Sequence, residues 1–372
     1  MKSIRYLIVT IFIIVASIIQ AQDPFFLQSS QIKGYINPAL TGINGVFTLK
    51  AITKNQFYNQ SDFSTHAVSA EWSMPCMRLD WGAYYLNDVE GDGRLRTQEL
   101  GSAIVYSVPL PGFVKDYHHN LRFGLGASYL HKSIDWSRLT FSDQFNKKYG
   151  IQQNVSAFVP PDYDSRGYLQ LNAGFAYTAT YDKSFGFTIG SSFTSIPQVF
   201  DDASYDSILG LPQGGSRFNK FSIYVNSDFK ILRLFKKPIY LLPSFIMQRQ
   251  SGLSNYQIGT TLKSRHRINF GSFISISDFD RIENDLKVWT FEVGLGLRRT
   301  EREEINIVLQ YGYNIGELSN SFGDSYQVTI SYLLNRNVCG PIPISKTGCY
   351  KFIDGEILYE DAFFIPIEGI DK

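Results

Sequence analysis

A chain of 372 residues with a net charge of +1 and 19% charged side chains lacks the clustered Lys and Arg of a nucleic-acid-binding surface. Hydrophobic residues make up 44% and aromatic residues 15%, with 23 Tyr and 29 Phe, which is enough apolar material for a large folded body. The mean hydropathy lies just below zero, which suits strands whose apolar and polar residues alternate and dilute one another in any average.

Residues 1–21 read as a secretory signal peptide. Lys2 and Arg5 form the charged start, Tyr6 to Ile19 the apolar run, and Ile19-Gln20-Ala21 precedes an expected cut ahead of Gln22. The apolar run is too short for a spanning helix, which needs about 20 residues. No later stretch could cross a bilayer as a helix. An exported chain with many alternating strands is then either a soluble β protein or an outer-membrane barrel.

Residues 22–45 lack clean alternation. Asp23-Pro24-Phe25-Phe26-Leu27-Gln28 is followed by Gly34-Tyr35-Ile36-Asn37-Pro38-Ala39-Leu40-Thr41-Gly42, where two prolines and an Asn-Pro turn interrupt any regular element. The apolar residues here still require burial. The segment is therefore expected in the lumen or across the periplasmic mouth of a barrel, as a plug-like element.

From 46 to 334 the dominant signal is period two. In chain order the expected strands are Val46–Phe57, His66–Ser73, Trp81–Asn87, Thr97–Val108, Asn120–Ile134, Gly167–Thr180 and Phe185–Ile196. The second half continues with Asn219–Ile231, Ile239–Gln250, Asn255–Lys263, Arg267–Ser277, Lys287–Arg299, Ile305–Gly316 and Ser325–Leu334. This is an all-β chain of about fourteen strands, an even number that lets an antiparallel sheet close with both ends on one side of the membrane. The alternation is clearest at Leu169, Leu171, Ala173, Phe175 and Tyr177, which oppose Gln170, Asn172, Gly174, Ala176 and Thr178. A bulky face of this kind suits lipid, and a face of Gly, Ser, Thr and Asn suits a crowded lumen. By the same phase Glu71, Arg122, Asp228, Lys263, Glu292 and Arg298 point inward, because Arg or Lys facing lipid would cost ~2 to 4 kcal/mol near the midplane.

Loop lengths set an expected orientation. Met74–Asp80, Tyr181–Ser184, Leu232–Pro238 and Thr300–Glu304 read as short periplasmic turns, and Asp135–Arg166 and Pro197–Phe218 as long outer connections. Loops longer than about 12 to 15 residues are usually functional or disordered, so these two are candidates for external contacts.

Residues 335–372 form a C-terminal extension without alternation, placed in the periplasm by strand parity. There disulfides persist, and Cys339 with Cys349 is the first-choice pair, although Cys76 in a turn on the same side competes.

Several short motifs, taken together, resemble the PorP/SprF family of type IX secretion-associated outer-membrane proteins. They are Gln22-Asp23-Pro24, Phe26 and Gln28, Asn37-Pro38-Ala39 with Gly42, Asn55-Gln56-Phe57, and Asn87-Asp88 with Gly91 in a loop after the third strand. The resemblance implies an outer-membrane barrel that helps to secrete, or to hold at the cell surface, exported cargo that includes gliding-motility adhesins. Its partners would be outer-membrane lipid, type IX secretion components and a large adhesin. The long tail departs from the usual family ending.

Catalytic signals are weak. His118 and His119 fall in an expected periplasmic turn, and His66 beside Ser64 and Asp62 reads as a polar loop end. Asn87 to Gly93 lacks the full ligand spacing of an EF-hand. A non-enzymatic barrel with no cofactor and no metal is expected. The alternative is a FadL-like transporter of small or hydrophobic molecules, which also carries a plug with Asn-Pro-Ala, and a soluble β-sandwich is the third reading.

Overall fold

The computed structural model describes residues 26–56, 63–74, 77–91, 93–110, 117–146, 150–151, 156–157, 165–181, 185–195, 220–234, 237–250, 253–264, 268–279, 286–300, 303–316, 323–334, 352–353 and 356–357. The signal-peptide reading, Asp23, Pro24, Cys76, Cys339 and Cys349 lie outside them.

Fourteen of the described strands close into one antiparallel barrel. They are β1 Phe47–Gln56, β2 Phe63–Met74, β3 Leu79–Glu90, β4 Leu95–Leu110, β5 Tyr117–Ser133, β6 Ser165–Tyr181 and β7 Phe185–Ser195. They continue as β8 Lys220–Leu234, β9 Lys237–Gln250, β10 Leu253–Ser264, β11 Ile268–Phe279, β12 Leu286–Thr300, β13 Glu303–Asn314 and β14 Ser325–Leu334. Each strand pairs with its sequence neighbours, and β1 meets β14 in a register running from Phe47 opposite Leu334 to Gln56 opposite Ser325. No edge is left between first and last strands, so every barrel strand has two partners.

The pleat explains which residues face where. Outward positions carry Leu100, Ile104, Phe123, Leu125, Ile258 and Leu309, with Leu125 as much as 71% exposed. In water such a belt would be an extreme apolar patch, whereas hydrocarbon solvates it. Inward positions carry Thr48, Ser69, Thr178, Ser222, Thr290, Gln310 and Gln327, all buried.

The inner face is not uniformly small and uncharged, as alternation alone suggests. Tyr84, Leu86, Tyr224, Tyr240, Leu242, Ile246 and Phe273 also point inward and are buried. Most of them receive apolar side chains from the segment preceding β1. Ile36, Ala39, Leu40 and Ile43 cluster with Ala176, Tyr224 and Ile246. Phe26, Ile32 and Tyr35 cluster with Ile52, Ala67, Tyr84 and Leu86.

Two loop assignments change. Asp88 belongs to β3 together with Asn87, the last residue of the expected third strand, and β3 runs on to Glu90 before the turn at Gly91. His118 and His119 belong to β5, where the outward His119 ring stacks on Tyr177 with centroids 5.9 Å apart. Cross-strand pairing extends both strands past the point where apolar alternation fades, because the ladder requires only a facing backbone.

The long connections after β5 and β7 leave the barrel at the same end, and the turns after β2, β6, β8, β10 and β12 lie at the other. The short helical turns Ser29–Gln31, Lys33–Ile36 and Pro38–Leu40 precede β1. Among the described residues no helix is long and apolar enough to cross a membrane, a statement that has no bearing on crossing by strands.

Candidate functional site

The Asn37-Pro38-Ala39 turn is built locally first. Pro38 forces Asn37 into extended backbone (φ −149°, ψ 116°) and opens a helical turn at a position where its missing N–H costs nothing. The Asn37 side chain then caps that turn, its Oδ1 accepting from the Ala39 N–H at 2.9 Å. Gly42 ends the unit with φ +68°, a conformation that favours glycine.

This turn is fixed to the barrel wall by hydrogen bonds that reach far along the chain. Asn37 Nδ2 donates to the carbonyls of Phe175 and Ser191, both at 3.1 Å, which lie opposite one another on β6 and β7. The Ile36 carbonyl lies 2.6 Å from Ser192 Oγ and 2.8 Å from Ser222 Oγ, on β7 and β8. Such close approach requires a wall without side chains. A Cβ on Gly124 would stand 2.3 Å from the Ala39 nitrogen, and one on Gly174 would stand 2.0 Å from Asn37 Oδ1. Gly124 and Gly174 face each other across β5 and β6.

Arg122 clamps the other side of the turn. Its Nε donates to Ala39 O at 2.9 Å, Nη2 to Thr41 O at 2.5 Å and Nη1 to Ser107 Oγ at 3.2 Å. The same guanidinium forms an ion pair with Asp80 at 2.9 Å, and both side chains are more than nine-tenths buried. A guanidinium offers five N–H donors in a fixed fork, so one residue orders two carbonyls of the segment, a hydroxyl and a carboxylate. Beside it, Glu71 Oε2 accepts from the Gly42 N–H at 2.9 Å.

A second anchor holds the start of the segment on the opposite wall. Leu27 N donates to Gln327 Oε1 at 3.0 Å, and Leu27 O accepts from Gln257 Nε2 at 2.7 Å. Gln310 Nε2 donates to Gln28 Oε1 at 2.7 Å and to Glu292 Oε2 at 2.6 Å, and Gln327 Nε2 donates to Gln310 Oε1 at 2.6 Å. Gln28 also accepts from Gln31. Phe26 meets Tyr35 edge to face at 6.3 Å, and the Lys220 ammonium sits 4.0 Å from the Tyr35 ring centroid. Residues 26–46 thus bridge the lumen from β10, β13 and β14 to β5, β6 and β7.

Of the six charges phased inward by sequence, Glu71 and Arg122 touch the segment directly, and Glu292 reaches it through Gln310. Asp228 and Lys263 are buried, and Asp228 accepts from Asn226 Nδ2 at 3.4 Å. Arg298 lies in β12 opposite Glu304, with its side chain outside the described residues. The family-motif positions divide in the same way. Phe26, Gln28, Asn37, Pro38, Ala39 and Gly42 belong to the lumenal segment, whereas Asn55 and Gln56 end β1. Asn87 pairs with His66 and Gln98, Asp88 accepts from Thr65 Oγ1 at 2.6 Å, and Gly91 turns with φ +70°.

Sequence reasoning missed Asp80, Lys33, Lys50, Glu99 and Lys220. All five are buried, and Glu99 accepts from Tyr84 OH at 2.6 Å. Extending the inward phase by one residue to Asp80, and to Lys50 beside Thr48, would have found two of them.

At the long-loop end, the connection after β5 folds back on the β3–β4 turn. Asp135 N donates to Gly93 O at 2.9 Å, and Leu139 packs where a Gly93 side chain would be. Asp135 accepts from the Ser137 hydroxyl and N–H, and Asp143 from the Ala157 N–H and the Ser156 hydroxyl. The Ser137 hydroxyl holds the Asp135 carboxyl below the usual carboxylate range, and the Ala157 N–H does the same for Asp143.

No curated protein sequence matches the chain. Similar solved structures include a bacterial polysaccharide outer membrane secretin, at 7% identity and TM-score 0.38 over 79% of this chain and 100% of that one. They also include a FadL homologue of Pseudomonas aeruginosa, at 8% identity and TM-score 0.38 over 82% and 93% of the respective chains. A third is Omp33 of Acinetobacter baumannii, at 8% identity and TM-score 0.38 over 80% and 100%. The family model described as type IX secretion system membrane protein PorP/SprF matches residues 18–332, nearly the whole barrel together with its lumenal segment. The chain is therefore an outer-membrane β-barrel of the PorP/SprF family of type IX secretion system membrane proteins.

Proposed function

We propose that this barrel is a non-enzymatic anchor of the type IX secretion and gliding-motility system, supporting secretion or surface retention of a large exported adhesin. In this reading residues 22–45 act as a plug, the long connections after β5 and β7 face outward and hold cargo, and residues 335–372 extend into the periplasm towards other secretion components. The observation that carries it is the bridged lumen. A segment tied at one wall by Arg122 and Asn37 and at the other by a run of glutamines suits a rigid anchor better than an open conduit. Membership of a secretion-system family, rather than an enzyme family, supports the same reading.

The test is deletion of 135–166 in the producing cell, with barrel assembly checked by heat-modifiable migration on gels. Loss of the surface adhesin with an intact barrel is expected. Undiminished display would remove the outer-loop role. The transporter alternative requires the segment to move. Planar-bilayer recordings of the wild-type protein are expected to show no sustained conductance, and steady conductance or solute uptake would favour transport.

A further inference from the structure

The barrel wall has an interrupted seam. Pairing between β8 and β9 runs from Lys220 opposite Gln250 to Asn226 opposite Ser244, stops, and resumes at Phe229 opposite Leu241 in the same register. Ser227 and Asp228 therefore stand opposite Pro243 and Leu242 without pairing to them, near the middle of both strands. Proline has no N–H to give to a ladder, and Pro243 in a strand with neighbours on both sides accounts for the break. A bulge between Lys230 and Leu232 disturbs the same seam further along. Among the described residues every other seam of the barrel pairs without a gap, apart from a bulge between Arg298 and Thr300 beside the β12–β13 turn.

A broken ladder at this depth is costly in hydrocarbon unless polar groups or water stand behind it. Behind this gap lies a cavity of about 90 Å³, lined on the wall side by Tyr224, Asn226, Leu242 and Ser244, and across from them by Gln28 and Gln31 of the lumenal segment. It is roomy and polar enough for water to solvate backbone groups that the seam exposes on parting. The segment also clasps the seam. Tyr224 of β8 and Ile246 of β9 lie directly opposite one another, and both pack in one apolar cluster with Ile36 and Leu40. Hydrogen bonds extend the clasp, from Ile36 O to Ser222 on β8 and from Leu27 O to Gln257 on β10.

We infer that the β8–β9 seam is a lateral opening point of the barrel wall, and that the lumenal segment holds it shut. Release of the segment from the Tyr224–Ile246 pair and parting of the strands at Ser227 and Asp228 are coupled, so each favours the other. The inference concerns the wall and is independent of what the long connections hold.

Hydrogen exchange of the full chain in lipid nanodiscs, read by mass spectrometry, tests this. In the wild type, peptides covering 225–230 and 240–245 are expected to exchange at least about fivefold faster than those covering 258–262 and 270–274, which pair without a gap at similar depth in β10 and β11. Pro243→Val, which restores the missing donor, should remove the difference. Ile36→Ala should quicken the β8–β9 peptides by at least about another fivefold and leave the 270–274 peptide unchanged. Phe26→Ala, which trims the separate cluster against β1, β2 and β3, should leave all of these peptides unchanged. Equal exchange at the two seams of the wild type overturns the proposal. So does a heat-modifiable Pro243→Val barrel that keeps the fast exchange, or a response to Phe26→Ala as large as that to Ile36→Ala, which would mark general loosening. If a variant fails to assemble, the wild-type comparison decides alone.

Discussion

Arg122 concentrates the structural logic of the lumen in one side chain. Both members of the Arg122–Asp80 pair are buried, so removing the cation leaves a carboxylate without its partner, a change that typically costs ~3 to 5 kcal/mol. Arg122→Met is expected to lower the thermal unfolding midpoint in detergent markedly. Adding Asp80→Asn to that variant should recover part of the loss, because the remaining partner then carries no charge. Arg122 was legible from its inward phase, but its partner was not, since Asp80 stands beside a turn where alternation has only begun. What alternation cannot show is that Arg122 spends its donors on the carbonyls of Ala39 and Thr41, more than eighty positions earlier in the chain.

At the residue scale the long connection after β5 also has a defined acid response. Asp143 and Asp135 have carboxyls held below their ordinary range by hydrogen bonds to Ala157 and Ser137 respectively. A depressed folded value means that the contribution is present above the ordinary carboxylate pKa of about 4 and is lost as pH falls through the lower folded value. Protease resistance of this connection is therefore expected to persist from neutral pH to about pH 4 and to fall only below it. Asp143→Ala should show the susceptible pattern already at neutral pH, as measured by limited proteolysis of the protein in detergent.

Among the elements, β5, β6 and β7 owe their composition to what they hold. Their inward glycines read in sequence as a small-residue lumenal face, which is correct as far as it goes. The structure adds the cause: Gly124, Gly174 and Gly190 form the surface on which the Asn-Pro-Ala turn lies, and a Cβ on any of them would meet it at 2.8 Å or less. Gly124→Val is expected to displace the turn while leaving the pairing of β5 with β4 and β6 intact, since valine is at home in a strand. The expected readout is conductance appearing in planar bilayers where the wild type shows none, and a silent variant would mean that the segment adjusts without opening the lumen. Strand number and order were legible because period two persists through most strands. The ends of β3 and β5 were not, because Asp88, His118 and His119 carry no apolar alternation and are recruited by backbone pairing alone.

Taken whole, the molecule has two solvents outside its inner wall. Its apolar belt faces hydrocarbon, and its loops and turns face water. Leu125, near the middle of β5 and the most exposed large apolar residue of the belt, reports on the first. Leu125→Arg is expected to lower folding stability in phosphatidylcholine liposomes by ~2 to 4 kcal/mol, whereas the lumenal Gln170→Lys should be accommodated with a smaller loss. Equal effects at the two positions would argue against a lipid-facing belt.

The sequence by itself determined the class of fold, the strand count, the outward belt and the family. Each rests on local or periodic information: a pleat repeats every two residues, and a motif is read in order along the chain. Tertiary structure alone decided what the lumen contains. Most of the hydrogen bonds that fix residues 26–46 to the wall join positions 81 to 300 apart, through polar groups whose pairing follows from where a closed sheet places them. Inward Tyr84, Tyr224 and Ile246 look like breaks in a small-residue face until the chain's own beginning is laid against them, because burial inside a barrel is a property of the enclosed volume and not of any one strand.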